Sequence, residues 1–496
     1  MKILTSYRVE SEGVPAEIAI LEKDGEYVGV YELMHTKIKA ATSVALSYLK
    51  EKIIDGTNLK ISEILDPRES ERVKGRIIGK AHEIIRNELS GISGDEENIL
   101  VGRLAQEMLG LGEIELLLAD EQLEEVVINS AAEPVWVYHR KFGWLKTNIR
   151  IPSEEQVHNF ASIIGRRVGR QITSLEPLMD AHLPGGNRVN ATLYPISTKG
   201  NGITIRKFAK DPWTIVSMIA NGTLNRDAAA LFWLALQYEM SMLVGGGTAS
   251  GKTSFLNAVL VFTPPNQRLI SIEDTREIQL PDFLHWTPMV TRQPNPEGKG
   301  GIEMLDLVVN SLRMRPDRIV VGEIRRQREA EVLFEAMHTG HSVYSTIHAD
   351  DAAQVRNRLI TPPIGLPENQ LEALQLVVVQ YRQRRIGVRR TFEIAEVVPT
   401  KDGVSMNLVY KWDPRSDALV MTGQYARLAE ELIRHTGLTV KEIQDDLREK
   451  EMIIDSLLKS KLTKVDEVGK VVAWYYRNSG EVAAAARENK LIELLS

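Results

Sequence analysis

The residues Gly246-Gly247-Thr248-Ala249-Ser250-Gly251-Lys252-Thr253 carry the spacing G-x-x-x-x-G-K-T. Glycines at those places let successive backbone N–H groups wrap a chain of phosphates. Lys252 is long enough to reach the β- and γ-phosphates, and the Thr253 hydroxyl is placed to ligate Mg²⁺, with Ser254 in the same turn. The chemistry implied is binding of ATP with Mg²⁺ along 246–254. A chance glycine-rich turn is the alternative, and context separates the two. Met242-Leu243-Val244-Gly245 reads as a buried strand directly before the loop, and 254–261 reads as a helix directly after it. A helix N-terminus adds positive potential where the phosphates sit.

Three further strand-like runs end in groups able to work on a phosphate. Arg268-Leu269-Ile270-Ser271-Ile272 ends in Glu273-Asp274. In an open α/β sheet, such a strand end faces the ligand edge. Glu273 is a candidate to polarise the attacking water and Asp274 to hold Mg²⁺ through water; a solvated turn is the alternative. Arg318-Ile319-Val320-Val321-Gly322-Glu323 has the form of a Walker B strand, with Gly322-Glu323 where an aspartate is usual. That departure leaves open how Glu273 and Glu323 divide the catalytic and metal-binding roles. Ser342-Val343-Tyr344-Ser345-Thr346-Ile347 precedes His348-Ala349-Asp350. His348 is a candidate γ-phosphate sensor or inter-subunit relay, against a purely structural hydrogen-bonding role. His338 and His341 read as structural. The Gly185-Gly186-Asn187 run fits a hairpin turn better than a phosphate loop, because no helix pattern follows it.

These residues need a parallel, doubly wound sheet to bring them together. From about 226 to 400, short apolar strands alternate with helices, which is the pattern of such a sheet. Residues 211–225 read as a linker helix with turns at its ends. Upstream, 96–210 mixes helices with short strands near 125–129, 134–139, 189–193 and 202–208. Ser153-Glu154-Glu155-Gln156 opens a helix with a capping box, so a compact α+β domain is expected. Residues 1–95 are expected to form a mixed, mainly helical extension, with a helix over 33–54 and another opening at Asp66-Pro67-Arg68-Glu69. A charged helical region is expected over 401–496.

With 496 residues, the chain has room for about three or four domains. Hydrophobic content of 43% and charged content of 26% are ordinary for a globular protein. The absence of cysteine excludes disulfides and thiolate metal sites and is compatible with a cytoplasmic setting. A net charge of −6, from 61 basic and 67 acidic residues, exerts no global pull on nucleic acid or anionic lipid. Residues 1–10 hold no apolar run of signal-peptide length. No stretch approaches the ~20 apolar residues that span a bilayer, so no membrane span of its own is expected.

Taken in order, the phosphate loop, Ile272-Glu273-Asp274-Thr275-Arg276-Glu277, Arg315 through Arg325, and Gly340 through Asp350 resemble the Walker A, Asp box, Walker B and His box of the type II/type IV secretion ATPase superfamily. The likeness extends upstream through 183–193 and Thr204-Ile205-Arg206-Lys207-Phe208, covering most of 96–400. Within the superfamily the chain is most similar to the archaeal branch that serves type II secretion, type IV pili and archaella. The four-cysteine zinc module usual in bacterial type II members cannot be present. The resemblance implies a RecA-like core, a flexibly linked N-terminal domain and a homo-hexameric ring. It implies partners too: a polytopic membrane platform protein and a pilin or pseudopilin machinery, met at the inner face of the cytoplasmic membrane. It also implies that Glu273 activates water and that Glu323 is the Walker B residue. N-domain arginines lie near the phosphates in family members, which makes Arg188 and Arg206 candidates here, against simple surface salt bridging.

Three functions remain in competition at this point. The first is an ATP-driven motor for filament assembly or protein secretion. The second is a nucleic-acid translocase on the same core, which DNA-stimulated turnover would reveal. The third is a nucleotide-gated scaffold without meaningful turnover, against which Glu273 and Glu323 argue.

Overall fold

The computed structural model describes residues 1–35, 46, 48–53, 56, 70–89, 91–183, 185–208, 211–294, 298–401 and 403–495. The chain divides into two compact units, Met1–Lys210 and Asp211–Ser496.

The first unit contains β1 (Lys2–Ser11), β2 (Val14–Glu22), β3 (Val30–His35), β4 (Leu123–Ile128), β5 (Pro134–His139), β6 (Gly143–Arg150), β7 (Leu178–His182), β8 (Arg188–Thr192) and β9 (Gly202–Arg206). They form one sheet in the order β1-β2-β3-β6-β5-β4-β9-β8-β7. This corrects the expectation of a separate, mainly helical segment over 1–95. Val30 and Tyr31 on β3 pair in parallel with Lys146 and Thr147 on β6, so the N-terminal strands extend the same sheet. Leu33 fits the helical apolar spacing of 33–54, but Tyr31 and Leu33 alternate onto one buried face and join the core of Ile18, Ile20, Val137 and Leu145. The helix expected over 33–54 therefore does not begin at 33, and most of its remainder lies outside the described residues. The start at 66–69 also lies outside them, although the helix Ser70–Glu88 that it anticipates is present. That helix packs with Gly94–Leu109, which opens on a reciprocal Ser93/Glu96 capping box. Ser153 caps Glu154–Arg167 by accepting from Gln156 N.

The second unit contains β10 (Met242–Gly246), β11 (Leu269–Glu273), β12 (Trp286–Val290), β13 (Arg318–Val321), β14 (Ser342–Ile347), β15 (Leu376–Gln383), β16 (Val388–Thr400), β17 (Gly403–Asp413) and β18 (Ala418–Met421). Their order is β12-β11-β13-β14-β10-β15-β16-β17-β18. The first six strands run parallel and β16 to β18 antiparallel. Parallel strands buried on both faces read as continuous apolar runs, and here alternate residues serve two cores. Met242 and Val244 face one core with Leu231, Phe255 and Leu256. Leu243 faces the other with Val308, Leu333, Val355 and Leu359. Helices Arg226–Gln237 and Lys252–Leu260 cover the first face; Met304–Ser311, Gln327–His338 and Ala352–Ile360 cover the second.

The ends of this unit differ from the expected pattern. Residues 403–421 are not helical, because β17 and β18 complete the sheet by pairing with β16 and with each other. Helices start at Arg427–Thr436 and continue as Val440–Lys459, Val465–Arg477 and Ser479–Arg487. Leu428, Ile453, Leu457, Val471 and Val482 enter the same core as the phosphate-loop helix, so this region is no loose tail. The segment expected as a linker holds helix Ile215–Ala220, capped by Thr214, and buries Ile215, Val216 and Met218 in that core.

Candidate nucleotide site

The loop 246–253 joins the C-terminal end of β10 to the helix Lys252–Leu260. Gly246 (φ +149°) and Gly251 (φ +97°) adopt backbone angles that favour glycine. A Cβ at Gly246 would meet the Ser250 hydroxyl and lie 2.5 Å from the Gln380 carbonyl oxygen, so only glycine fits. The Lys252 Nζ donates to the Gly246 and Gly247 carbonyls at 2.9 and 3.0 Å, curled over the loop where a phosphate chain would lie. Burial pushes the Lys252 ammonium below its usual pKa, against the opposing pull of Glu323, Glu277 and Asp350. The Ser250 hydroxyl is buried and has no hydrogen-bond partner.

The neighbouring strand ends deliver the acidic groups to the same edge. Glu273 ends β11 and is buried. Its Oε1 accepts from Glu277 N and Ile278 N at 2.9 and 3.1 Å, while its Oε2 has no hydrogen-bond partner. Burial raises its pKa to about 7, although those two backbone donors pull the other way. The phosphate-loop helix is tied to this turn through Asn257, whose Oδ1 accepts from Gln279 N at 2.7 Å. Gly322 follows β13, and its N–H donates to the Ile272 carbonyl at 2.8 Å. A Cβ there would sit 3.5 Å from Glu273 Cα, so the two strand ends run close together.

Glu323 is held on two sides. Its Oε1 lies 2.9 Å from His348 Nε2, and its Oε2 accepts from Arg325 at 2.7 Å. Arg325 also donates to Asp274 Oδ2 at 2.7 Å, so one guanidinium bridges the carboxylates of two strands. Asp274 Oδ1 accepts from the Thr291 hydroxyl at 3.1 Å. His348 Nδ1 is 3.5 Å from Lys252 Nζ. One ring tautomer serves both contacts, with Nε2–H donating to Glu323 and Nδ1 accepting from Lys252.

Within the second unit the fold therefore gathers Lys252, Glu273, Asp274, Glu323 and His348 along the C-terminal edge of β10, β11, β13 and β14. Thr253 sits half-buried in the first turn of the loop helix. Thr253, Asp274 and Glu323 each carry hard oxygen donors of the kind that Mg²⁺ takes. The unpartnered Ser250 hydroxyl and the curled Lys252 suit a triphosphate.

Arg188 and Arg206 belong to the first unit, directly opposite one another on β8 and β9. Arg188 pairs with Asp180 at 2.7 Å. Arg206 lies across from Glu125, whose pKa burial raises and Arg206 lowers. His341 Nδ1 lies 3.2 Å from the Ala336 carbonyl oxygen, a structural contact.

Two residues at this edge were given no role from the sequence. Arg325 stands only two places after Glu323, and a basic residue so near a metal-binding carboxylate is a signal. Arg389, whose Nε donates to the Ala249 carbonyl at 3.1 Å, lies 140 residues along the chain and carried none.

The fold defines an α/β protein whose mostly parallel sheet carries the glycine-rich loop 246–253 at the C-terminal end of β10. The family model described as Type II/IV secretion system protein matches residues 107–391, more than half of the chain, and the chain belongs to that family. It is 34% identical over 399 residues to an uncharacterized protein of Methanocaldococcus jannaschii, covering 79% of this chain and 72% of that protein. It is 33% identical over 316 residues to a putative conjugal transfer protein of Mycobacterium tuberculosis, covering 61% of this chain and 89% of that one. Among solved structures it is similar to the Legionella pneumophila ATPase DotB, at 20% identity and a TM-score of 0.40, covering 74% of this chain and 92% of that chain. Among the described residues, no helix is long and apolar enough to cross a membrane.

Proposed function

We propose that this protein is a Mg²⁺-dependent ATPase that works as a homo-hexameric motor at the cytoplasmic face of a membrane platform and drives pilin or pseudopilin assembly or protein secretion. The observation that carries the reading is the convergence of Lys252, Glu273, Glu323 and His348 on one sheet edge beside the phosphate loop, in a chain of the type II/IV secretion family.

In this mechanism the loop N–H groups and Lys252 hold the β- and γ-phosphates and offset their charge. The Thr253 hydroxyl and Glu323 would hold Mg²⁺, with Asp274 acting through water. Bound there, the ion would supply charge neutralisation for the phosphates. Glu273 accepts the proton of the attacking water on Oε2, the oxygen left without a partner. Water adds to the γ-phosphorus as the bond to the β,γ-bridging oxygen breaks, giving ADP and inorganic phosphate. His348 links Lys252 to Glu323 and so reports γ-phosphate occupancy. Phosphoryl transfer of this kind rests on positioning and electrostatics and needs no covalent intermediate.

The test is phosphate release across protein concentration, with Lys252→Ala subunits mixed into wild type. Turnover per subunit should rise until the ring completes, and inactive subunits should depress it more than in proportion. A monomer with full, concentration-independent turnover overturns the ring and leaves the ATPase standing. Normal turnover by Lys252→Ala alone overturns both.

A further inference from the structure

We propose that Arg389 is a positioning residue for the phosphate loop, latching the turn at Ala249 so that the loop's N–H groups face the nucleotide. The proposal rests on the reading of 246–253 as the nucleotide loop.

Ala249 carries a side chain yet has φ +59°. Such a residue holds the left-handed region only when its surroundings impose it. The contact available to impose it is Arg389, whose Nε donates to the Ala249 carbonyl oxygen at 3.1 Å. The arginine stem crosses the loop: a Cβ built on Gly251 would lie 3.5 Å from Arg389 Cδ.

The orientation of one carbonyl matters because the peptide is planar and trans, so C=O and the following N–H point in opposite directions. Holding the Ala249 carbonyl outward on Arg389 turns the Ser250 N–H inward. That N–H is indeed aimed across the loop, at the Gly247 carbonyl 3.3 Å away, a long contact that a phosphate oxygen would readily replace. One outward hydrogen bond thus sets an inward donor.

Arg389 can act as a latch because its own backbone is anchored. It lies on β16, whose partner β15 pairs directly with β10, the strand that feeds the loop. The Arg389 carbonyl accepts from the Thr223 hydroxyl at 3.3 Å and from Arg390 at 2.8 Å. Arg390 is in turn held by Asp417 at 2.7 Å. The loop is therefore referenced to the sheet on its far side as well as through β10.

The experiment compares Arg389→Ala, Arg389→Gln and Arg389→Lys by titration with a fluorescent ADP analogue and by hydrogen exchange at the loop amides. Glutamine places an N–H donor where Arg389 has Nε but carries no charge. Lysine keeps the charge and has no donor at that position. The latch predicts that Arg389→Ala weakens ADP binding about tenfold, the effect of one hydrogen bond involving a charged group, and speeds exchange at 249–251. Arg389→Gln should recover most of both and Arg389→Lys little. Recovery by lysine and not by glutamine would show a charge contact with the nucleotide and overturn the latch. Unchanged binding in all three also overturns it, provided that Lys252→Ala abolishes binding in the same assay. If Lys252→Ala binds normally, the nucleotide-loop reading itself fails. Should Arg389→Ala not fold, the contrast between glutamine and lysine decides alone.

Discussion

His348 Nε2 lies 2.9 Å from Glu323 Oε1, joining the ends of two adjacent parallel strands by a side-chain contact. The other ring nitrogen is 3.5 Å from Lys252 Nζ, so the imidazole stands between the proposed metal-ligating carboxylate and the proposed phosphate-binding ammonium. Such a bridge transmits any movement of Lys252 to Glu323. We expect His348→Ala to lower ATP turnover about 10- to 100-fold, the span of one hydrogen bond to a charged group, while nucleotide affinity changes much less. Steady-state phosphate release set beside nucleotide titration measures the split. An equal loss in both would make His348 a binding residue.

Glu273 and Glu323 differ in their surroundings and should fail differently. Glu273 is buried, with one oxygen free of partners; Glu323 is engaged on both oxygens. Glu273→Gln keeps the shape and loses the base, so ATP binding should persist while hydrolysis falls about 10²- to 10⁴-fold. Glu323→Gln should instead raise the Mg²⁺ concentration needed for turnover. A Glu273→Gln enzyme that hydrolyses normally beside a dead Glu323→Gln enzyme would exchange the two roles.

Gly246→Ala adds one methyl group where the Gln380 carbonyl oxygen would stand 2.5 Å away, at a φ of +149°. Backbone cannot yield there without disturbing β15. Overpacking of this sort costs about 1–3 kcal/mol. The expected outcome is loss of nucleotide binding together with a lower unfolding midpoint. Gly247→Ala, with its nearest neighbour 3.5 Å away, should fold normally and serves as the control.

Asp417 is held well below the usual carboxylate range, at about 2, chiefly by hydrogen bonds from Arg390, with burial opposing. Its folded pKa lies below its unfolded value near ~3.9. The stabilisation is therefore complete above about pH 4 and fades as pH falls toward 2. Asp417 is half exposed, so screening limits the effect to below about 1 kcal/mol. Asp417→Asn, which tolerates the left-handed backbone at this position (φ +49°), should lower the denaturation midpoint at pH 7 and match wild type near pH 2. A constant gap across that range would show that the charge is not what matters.

The phosphate loop was legible because everything that makes it lies within about a dozen residues. Glycines adopt the angles that the turn requires, a buried strand leads in and a helix leads out, and these preferences act locally. Glu273, Glu323 and His348 were legible for a related reason: each closes a short apolar run, and the ends of parallel strands share one edge of the sheet. The end of β3 was hidden because Leu33 also fits the apolar spacing of a helix over 33–54, and only pairing with β2 and β6 resolves that ambiguity. Strands β15 to β18 were partly missed because antiparallel partners up to 20 residues apart decide their register, as Leu376 and Glu396 do.

Composition and local motif alone determined that this chain carries a glycine-rich loop between a strand and a helix, a set of acidic strand ends and no cysteine chemistry. Only the tertiary structure decided that Arg325 bridges Asp274 to Glu323, that Arg389 reaches the loop from 140 residues away, and that the C-terminal helices share the loop helix's core. The physical reason is the range of the forces involved. Backbone angles and helix ends are set by near neighbours in sequence, whereas strand order, ion pairs between strands and shared cores depend on which distant segments the sheet brings to one place.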